Sequence, residues 1–234
     1  MKNIVVLTGA GISAESGFST FRDANGLWEN YPVEKVATPE GWNADHRLVT
    51  DFYNQLRTQL VEARPNAAHF ALAELEQNFR VSIITQNVDD LHERAGSTQV
   101  VHLHGELMKV SSSHDPNNPK FIQTLDKNHL TVAHDTLASD GSLLRPWIVW
   151  FGEAVPEFER AIQLAEQADI FVVVGTSLQV YPAAGLLNYV PQHAQVYLID
   201  PKEVKTSIGR DICFIQEVAT KGMQILMETL KQEI

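Results

Sequence analysis

The chain has 234 residues, 44% of them hydrophobic and 20% charged, a composition that makes a folded domain with one sizeable core rather than a disordered chain. Its net charge of -11, from 18 Lys and Arg against 29 Asp and Glu, opposes phosphate-backbone binding, so no nucleic-acid partner is expected. The single cysteine, Cys213, excludes an internal disulfide or a thiolate cluster, and no apolar run approaches the ~18 residues of a membrane span, so a cytoplasmic protein without a membrane partner is expected.

Ile4 to Leu7 is a continuous apolar run, the pattern of a buried parallel strand. It runs into the loop Gly9-Ala10-Gly11-Ile12-Ser13-Ala14-Glu15-Ser16-Gly17, which enters a predicted helix. Glycines let a backbone approach a pyrophosphate, and a helix start offers unpaired N–H groups to the anion. The spacing departs from G-x-G-x-x-G, and glycines kept for steric reasons alone read the same way. Phe18 to Asp23 follows, where Arg22 can pair with phosphate oxygens and Phe21 can shield a reactive sugar carbon from water. A core Phe21 and a surface ion pair at Arg22 are the alternative.

Residues 25–66 are aromatic-rich and helical without a clear strand. Pro65-Asn66 then starts a helix over Ala67 to Asn78, with Ala68, Ala71, Leu72 and Leu75 on one face. Val81 to Thr85 reads as a strand ending in Gln86-Asn87-Val88-Asp89-Asp90-Leu91-His92. An amide can pair with a carboxamide and a carboxylate can accept from a sugar hydroxyl, although Asp89 or Asp90 can equally cap the next helix. A short strand at Val100 to Leu103 leads to His104-Gly105-Glu106, where a strand-end histidine can serve as general base.

Residues 108–144 are polar and turn-rich, with Ser111-Ser112-Ser113 and Asp115-Pro116-Asn117-Asn118-Pro119. A strand at Trp147 to Phe151 and a helix at Pro156 to Ala168 come next. The strand Ile170 to Val174 ends in Gly175-Thr176-Ser177, which offers N–H and hydroxyl donors or caps a helix, and Val196 to Ile199 is the last strand. Strands alternating with helices make an α/β fold with a doubly wound parallel sheet. Residues 1–24, 67–107 and 145–234 form its large domain, while 25–66 and 108–144 leave it and form a small inserted lobe.

Taken in order, Gly9 to Asp23, Thr85 to His92, His102 to Glu106, Trp150-Phe151-Gly152-Glu153 and Gly175 to Ala183 resemble the successive motifs of the sirtuin family, over essentially the whole chain. The resemblance implies a Rossmann-like large domain and a small lobe, with NAD and an acyl-lysine protein or peptide meeting between them. It places Gly9, Ala10, Gly11, Glu15, Phe21 and Arg22 on the cofactor loop and Gln86, Asn87 and Asp89 at the ribose and nicotinamide amide. Gly175, Thr176 and Ser177, with Asp200 and Ala219, fall on the adenosine side. Val149, Phe151, Gly152 and Glu153 would take the substrate backbone as an added strand. His104, directly before Gly105, takes the catalytic position together with Asn87, and His102 does not. In the family's chemistry the acyl oxygen attacks the ribose carbon that bears nicotinamide, the histidine acts as base, and free lysine and an acylated ADP-ribose result.

Three departures from the family pattern matter. Most sirtuins hold a structural zinc with four cysteines in the small lobe, whereas serines stand where the first pair would fall; no metal is expected. Apolar packing by Phe121, Ile122, Leu125, Leu130, Val132, Leu137 and Leu143 is expected to hold the lobe instead. Relatives that prefer succinyl or malonyl groups carry Tyr-x-x-Arg; here Tyr53 matches, Leu56 takes the arginine position and Arg57 lies one residue late, turned by ~100° on a helix. A neutral acyl group is therefore expected, with desuccinylation or demalonylation the alternative. Asp200 stands where many relatives have asparagine. Competing activities are ADP-ribose transfer to protein, a non-catalytic NAD-binding module and, least supported, hydride transfer.

Overall fold

The computed structural model describes residues 1–18, 31–204 and 209–231. In chain order come β1 (Asn3–Thr8), α1 (Val33–Val36), α2 (Pro39–Ala44), α3 (His46–Glu62), α4 (Ala67–Leu75) and β2 (Arg80–Thr85). Then follow α5 (Leu91–Ala95), β3 (Val100–His102), β4 (Gly105–Ser112), β5 (Gln123–Thr124) and β6 (Leu144–Ile148). The last are α6 (Phe158–Ala165), β7 (Ile170–Val174), β8 (Gln195–Ile199), β9 (Cys213–Ile215) and α7 (Ala219–Leu230).

Six strands form a parallel sheet in the order β3-β2-β1-β7-β8-β9. Because successive strand residues face opposite sides, β1 feeds two cores at once. Ile4 and Val6 join Leu72 of α4 and Met223 and Leu226 of α7, while Val5 and Leu7 join Ala161 and Ala165 of α6 and Leu186. That double covering is why β1 and β7 are apolar without alternation. The chain builds outward from β1 to β3, then returns to β7 and builds the other way. Strand order thus reverses between β1 and β7, and in open sheets of this kind ligands bind beyond the carboxyl ends of the strands at such a switch point.

Helix α4 begins where Pro65-Asn66 predicts. Asn66 accepts from the Ala68 N–H, and the His69 side chain accepts from the Asn66 N–H in a capping box. The same Asn66 amide donates to the Ile12 carbonyl at 2.7 Å and to Ser16 Oγ at 2.9 Å, so the cap also anchors the glycine loop.

A second, antiparallel sheet has the order β5-β4-β6. Helix α3 starts on Asp45, whose carboxylate accepts from the Leu48 N–H. It buries Val49, Phe52, Tyr53, Leu56 and Leu60, spaced as one helical face, against Leu107, Ile148 and Trp150. No described helix is long and apolar enough to cross a membrane.

The glycine loop itself forms two three-residue 3-10 turns, Ala10–Ile12 and Ala14–Ser16, with the Gly11 N–H spent on the Gly175 carbonyl and Gly17 left-handed at φ 76°; the helix expected beyond it lies outside the described residues. Three sequence expectations change. The strand expected at 147–151 lies at 144–148. Its start was hidden by Arg145, whose guanidinium is buried over the Trp150 ring, and it ends where the Phe151 N–H turns away to the Ala37 carbonyl. Strands β4 and β9 were not anticipated, β9 being a three-residue edge strand with Cys213 and Phe214 exposed. Within 108–144, Val110, Val132, Ala138 and Leu144 form the apolar cluster with Leu125 against it, while Leu137 is exposed and Leu143 packs toward α3.

Candidate functional site

Three turns meet beyond β1, β2 and β7. The Gly9 N–H donates to the Val174 carbonyl and the Gly11 N–H to the Gly175 carbonyl at 2.8 Å, so two turns touch backbone to backbone. A Cβ on Gly11 would sit 2.6 Å from Gly175 Cα, and one on Gly175, at φ +63°, would sit 2.4 Å from the Ile12 nitrogen. The steric reading of these two glycines is therefore realised, and it brings the Ala10 and Thr176 turns together.

The third turn is tied to the other two by side chains. Gln86 Nε2 donates to Thr176 Oγ1 at 3.0 Å. Asn87 Nδ2 reaches the Gly9 carbonyl at 3.2 Å and Ser13 Oγ at 3.1 Å. Ser13 Oγ in turn donates to Asp89 Oδ2 at 3.0 Å, and Asp89 Oδ1 accepts from the Leu91 N–H at the start of α5. Asp89 thus fulfils the helix-capping alternative and also belongs to the network. Burial pushes its pKa up to about 6, while the Leu91 N–H, Ser13 and the charge of His102 work against the rise.

His104 turns its Nδ1 to the Gln86 carbonyl at 2.9 Å. A carbonyl only accepts, so Nδ1 carries the hydrogen and Nε2 keeps a lone pair. Burial lowers the pKa of this ring, which is neutral near pH 7 and ready to take a proton. His102 is different. Both its nitrogens have partners, the Asn87 carbonyl at 3.0 Å and Glu93 Oε1 at 2.8 Å.

The remaining site residues fall in several places. Tyr53, Leu56 and Arg57 are all buried on α3. Tyr53 Oη accepts from Trp150 Nε1 at 3.0 Å, and burial pushes the phenol pKa far up. Arg57 donates from Nε to the Leu107 carbonyl at 2.9 Å and from a terminal nitrogen to Asn54 Oδ1 at 2.8 Å; burial lowers its pKa to about 10. The Val149 N–H donates to the His104 carbonyl, the Phe151 N–H to that of Ala37 and the Glu153 N–H to that of Trp150. Gly152 has a left-handed φ of 91°, and the Glu153 carboxylate binds the Arg145 guanidinium through both oxygens. Glu15 lies apart from the turn network, accepting from the Thr220 N–H and Oγ1 at the start of α7. Ala219 beside it has its side chain in the core, and Asp200 Oδ1 accepts from the Lys202 N–H. Ser177 follows Thr176 in the β7 turn. Phe21 and Arg22 lie outside the described residues.

Sequence reasoning missed Ser13, Asn66 and Arg145. Ser13 and Asn66 lie inside motifs that were singled out, but without these roles, because their partners are 76 and 54 or 50 residues away. It also missed Leu178, the one non-glycine residue with positive φ (53°) among the described residues, in the turn that supplies Thr176.

The serines that stand where the resemblance puts the first cysteine pair are poor zinc ligands. Ser112 Oγ meets Asp140 Oδ2 at 2.5 Å and Ser142 Oγ at 2.9 Å, and it accepts from the His114 and Asp115 N–H groups. Hydroxyls are poor zinc ligands, and no group of three His, Cys, Asp or Glu stands together among the described residues.

This geometry has close counterparts in known proteins. A protein of Bacteroides thetaiotaomicron named NAD-dependent protein deacylase is 61% identical over 98% of each chain. A solved Sir2 homologue–NAD complex matches 99% of this chain and 90% of its own with a TM-score of 0.85 and 39% identity. A Sir2 protein bound to an acetylated peptide matches 97% and 92% with a TM-score of 0.80 and 29% identity. The Sir2 family model matches residues 9–182, and with that share of its length the chain belongs to the Sir2 family.

Proposed function

We propose that the chain is an NAD-dependent protein-lysine deacylase. The observation that carries this is a neutral histidine, His104, hydrogen-bonded to the carbonyl of Gln86 within a buried Asn87–Ser13–Asp89 network at the sheet's switch point. A pure NAD-binding module needs no base there. NAD fits this setting: the Ala10 and Thr176 turns approach each other on bare glycine backbone, and the adjoining amide and carboxylate match the polar groups of a nicotinamide riboside. When bound, NAD would supply the sugar carbon that the acyl oxygen attacks as nicotinamide leaves, and the ribose hydroxyl that ends up carrying the acyl group. Gln86, Asn87 and Asp89 hold and orient that end, Gly175, Thr176 and Ser177 face the adenosine side, and His104 Nε2 takes the proton.

Because four N–H groups of the Val149–Glu153 segment are already paired, that of Trp150 with the Glu153 carboxylate, an acyl-lysine peptide laid along it relies on its carbonyls and on Gly152. A neutral acyl group is preferred: Arg57 is spent on Leu107 and Asn54, Tyr53 on Trp150, and Leu56 is apolar. The small lobe works without zinc, as the Ser112–Asp140–Ser142 cluster supports, and metal analysis of the purified protein checks this.

Product analysis with NAD and acetyl-lysine peptide tests the activity. Nicotinamide plus an acyl-ADP-ribose is expected; labelled protein would mean ADP-ribose transfer, and unchanged NAD a binding module. Acetyl- and succinyl-lysine peptides competing in one assay test the acyl preference, which a strong succinyl bias would overturn.

A further inference from the structure

His102 and His104 stand two residues apart and hold consecutive carbonyl groups, those of Asn87 and Gln86. A carbonyl only accepts, so both Nδ1 atoms carry a hydrogen. The two rings differ at Nε2. That of His102 lies 2.8 Å from a carboxylate oxygen of Glu93. An ionised carboxylate also only accepts, so this second nitrogen must donate too, and a ring donating from both nitrogens is an imidazolium.

We propose that His102 is a charged positioning residue: an imidazolium locked between the Asn87 carbonyl and Glu93 that fixes the Gln86–Asp89 turn. The proposal rests on reading that turn as the reacting site. His104 is the neutral counterpart, and environments that drive paired groups to opposite protonation states are a mark of assigned acid–base roles.

The surroundings agree. Glu93 reaches His102 from α5 and Glu106 from β4, and both favour its charge; burial opposes it and is outweighed, so its pKa is raised. Glu93 itself is held low: burial would raise it, and the His102 hydrogen bond and charge reverse this, with Lys109 of β4 adding to the effect. Lys109 is itself paired with Glu106 at 2.6 Å. The other rings nearby, His92 of α5 and His69 of α4, are held neutral by burial and bring no competing cation. Asp89 feels the opposite side of this arrangement, since the His102 charge opposes the upward push of its burial. Removing that charge lets Asp89 take a proton at higher pH.

A contact that merely ties β3 to α5 would not need the charge, and this separates the two roles. In the full-length protein, long-range ¹H–¹⁵N spectra near neutral pH are expected to show both His102 nitrogens protonated, assigned by their loss in His102→Gln. Glu93→Gln keeps the shape of the contact but offers an amide N–H to Nε2, so the signal becomes that of a neutral ring. In both variants the acid limb of kcat/KM for NAD is expected to move up by about one pH unit, with kcat falling more than ~10-fold only in His102→Gln, where the turn loosens. A neutral His102 in the wild type, or an acid limb unmoved in Glu93→Gln, overturns the proposal. Glu93 is half-exposed, so its variant carries the test if His102→Gln fails to fold. The spectra read His102 whatever reaction the chain performs, so a failed deacylation assay does not decide this outcome.

Discussion

At the scale of single residues, the site combines a base that must be neutral with an acid that is expensive to keep charged. His104→Ala removes the proton acceptor but leaves the Gln86–Asp89 turn on its other partners. Turnover is expected to fall by about 10²–10⁴-fold with NAD affinity largely kept, as turnover assays and NAD titration would show; unchanged turnover would remove His104 from the mechanism. Asp89 is the costly group. Its pKa rises from 3.8 in the unfolded chain to about 6 in the fold, so the folded state holds the proton more tightly. Stability therefore rises as pH falls from about 6 to 3.8, and the whole cost of burying the charge is present above pH 6. Asp89→Asn keeps the shape without the charge, and at neutral pH it should raise stability by on the order of 1 kcal/mol or more while activity is lost. Denaturant unfolding and an activity assay on the same preparation would reveal a loss of both if Asp89 were purely structural.

At the scale of elements, helix α3 is the one on which the proposed acyl preference rests. Its helical character and the displacement of Arg57 from the arginine position were readable from the sequence, whereas the buried face of Phe52, Tyr53, Leu56 and Leu60 was seen only in the fold. Where Arg57 ends was not, because the Leu107 carbonyl that receives it is 50 residues away. Arg57→Ala should cost about 3–5 kcal/mol, since it leaves a cavity and strips a buried carbonyl of its donor. The ratio of acetyl to succinyl turnover should not change. Thermal unfolding with the two-peptide competition measures both, and a shifted ratio would mean the guanidinium faces the acyl group after all.

At the scale of the whole molecule, two histidines buried between α4 and α5 are expected to govern acid stability. The rings of His69 and His92 lie 4.9 Å apart, and His69 Nε2 and His92 Nδ1 have no hydrogen-bond partner among the described residues. Burial lowers the pKa of His69 to about 4 and that of His92 well below its usual value. The unfolded chain protonates these rings below about pH 6.5 and the fold does not. Their contribution is thus fully present above pH 6.5 and is lost as pH falls toward 4. Asp89 works the other way over part of that range, but two histidines outweigh one carboxylate. The melting temperature should drop steeply between pH 6.5 and 4. His69→Gln, which can still close the α4 capping box, should flatten the drop by on the order of 2 kcal/mol; an unchanged slope would show that other groups govern it.

The α/β class, the core strands, the α4 start and the order of the motifs were legible in the chain, because a strand buried on both faces and a capped helix write their requirements into neighbouring residues. Strand-end position also marked Gln86, Asn87, Asp89 and His104 as one group. Other features depended on partners far along the sequence. Glu15 reads as part of the cofactor loop, yet its carboxylate caps a helix 205 residues on. Glu153 reads as a substrate residue, yet it neutralises a buried Arg145. Most of all, His102 and His104 stand two residues apart, and the proposed cation and base differ by the Glu93 carboxylate that only His102 Nε2 meets. Local sequence records what a side chain can donate or accept; only the packed structure decides which groups lie close enough to fix its proton.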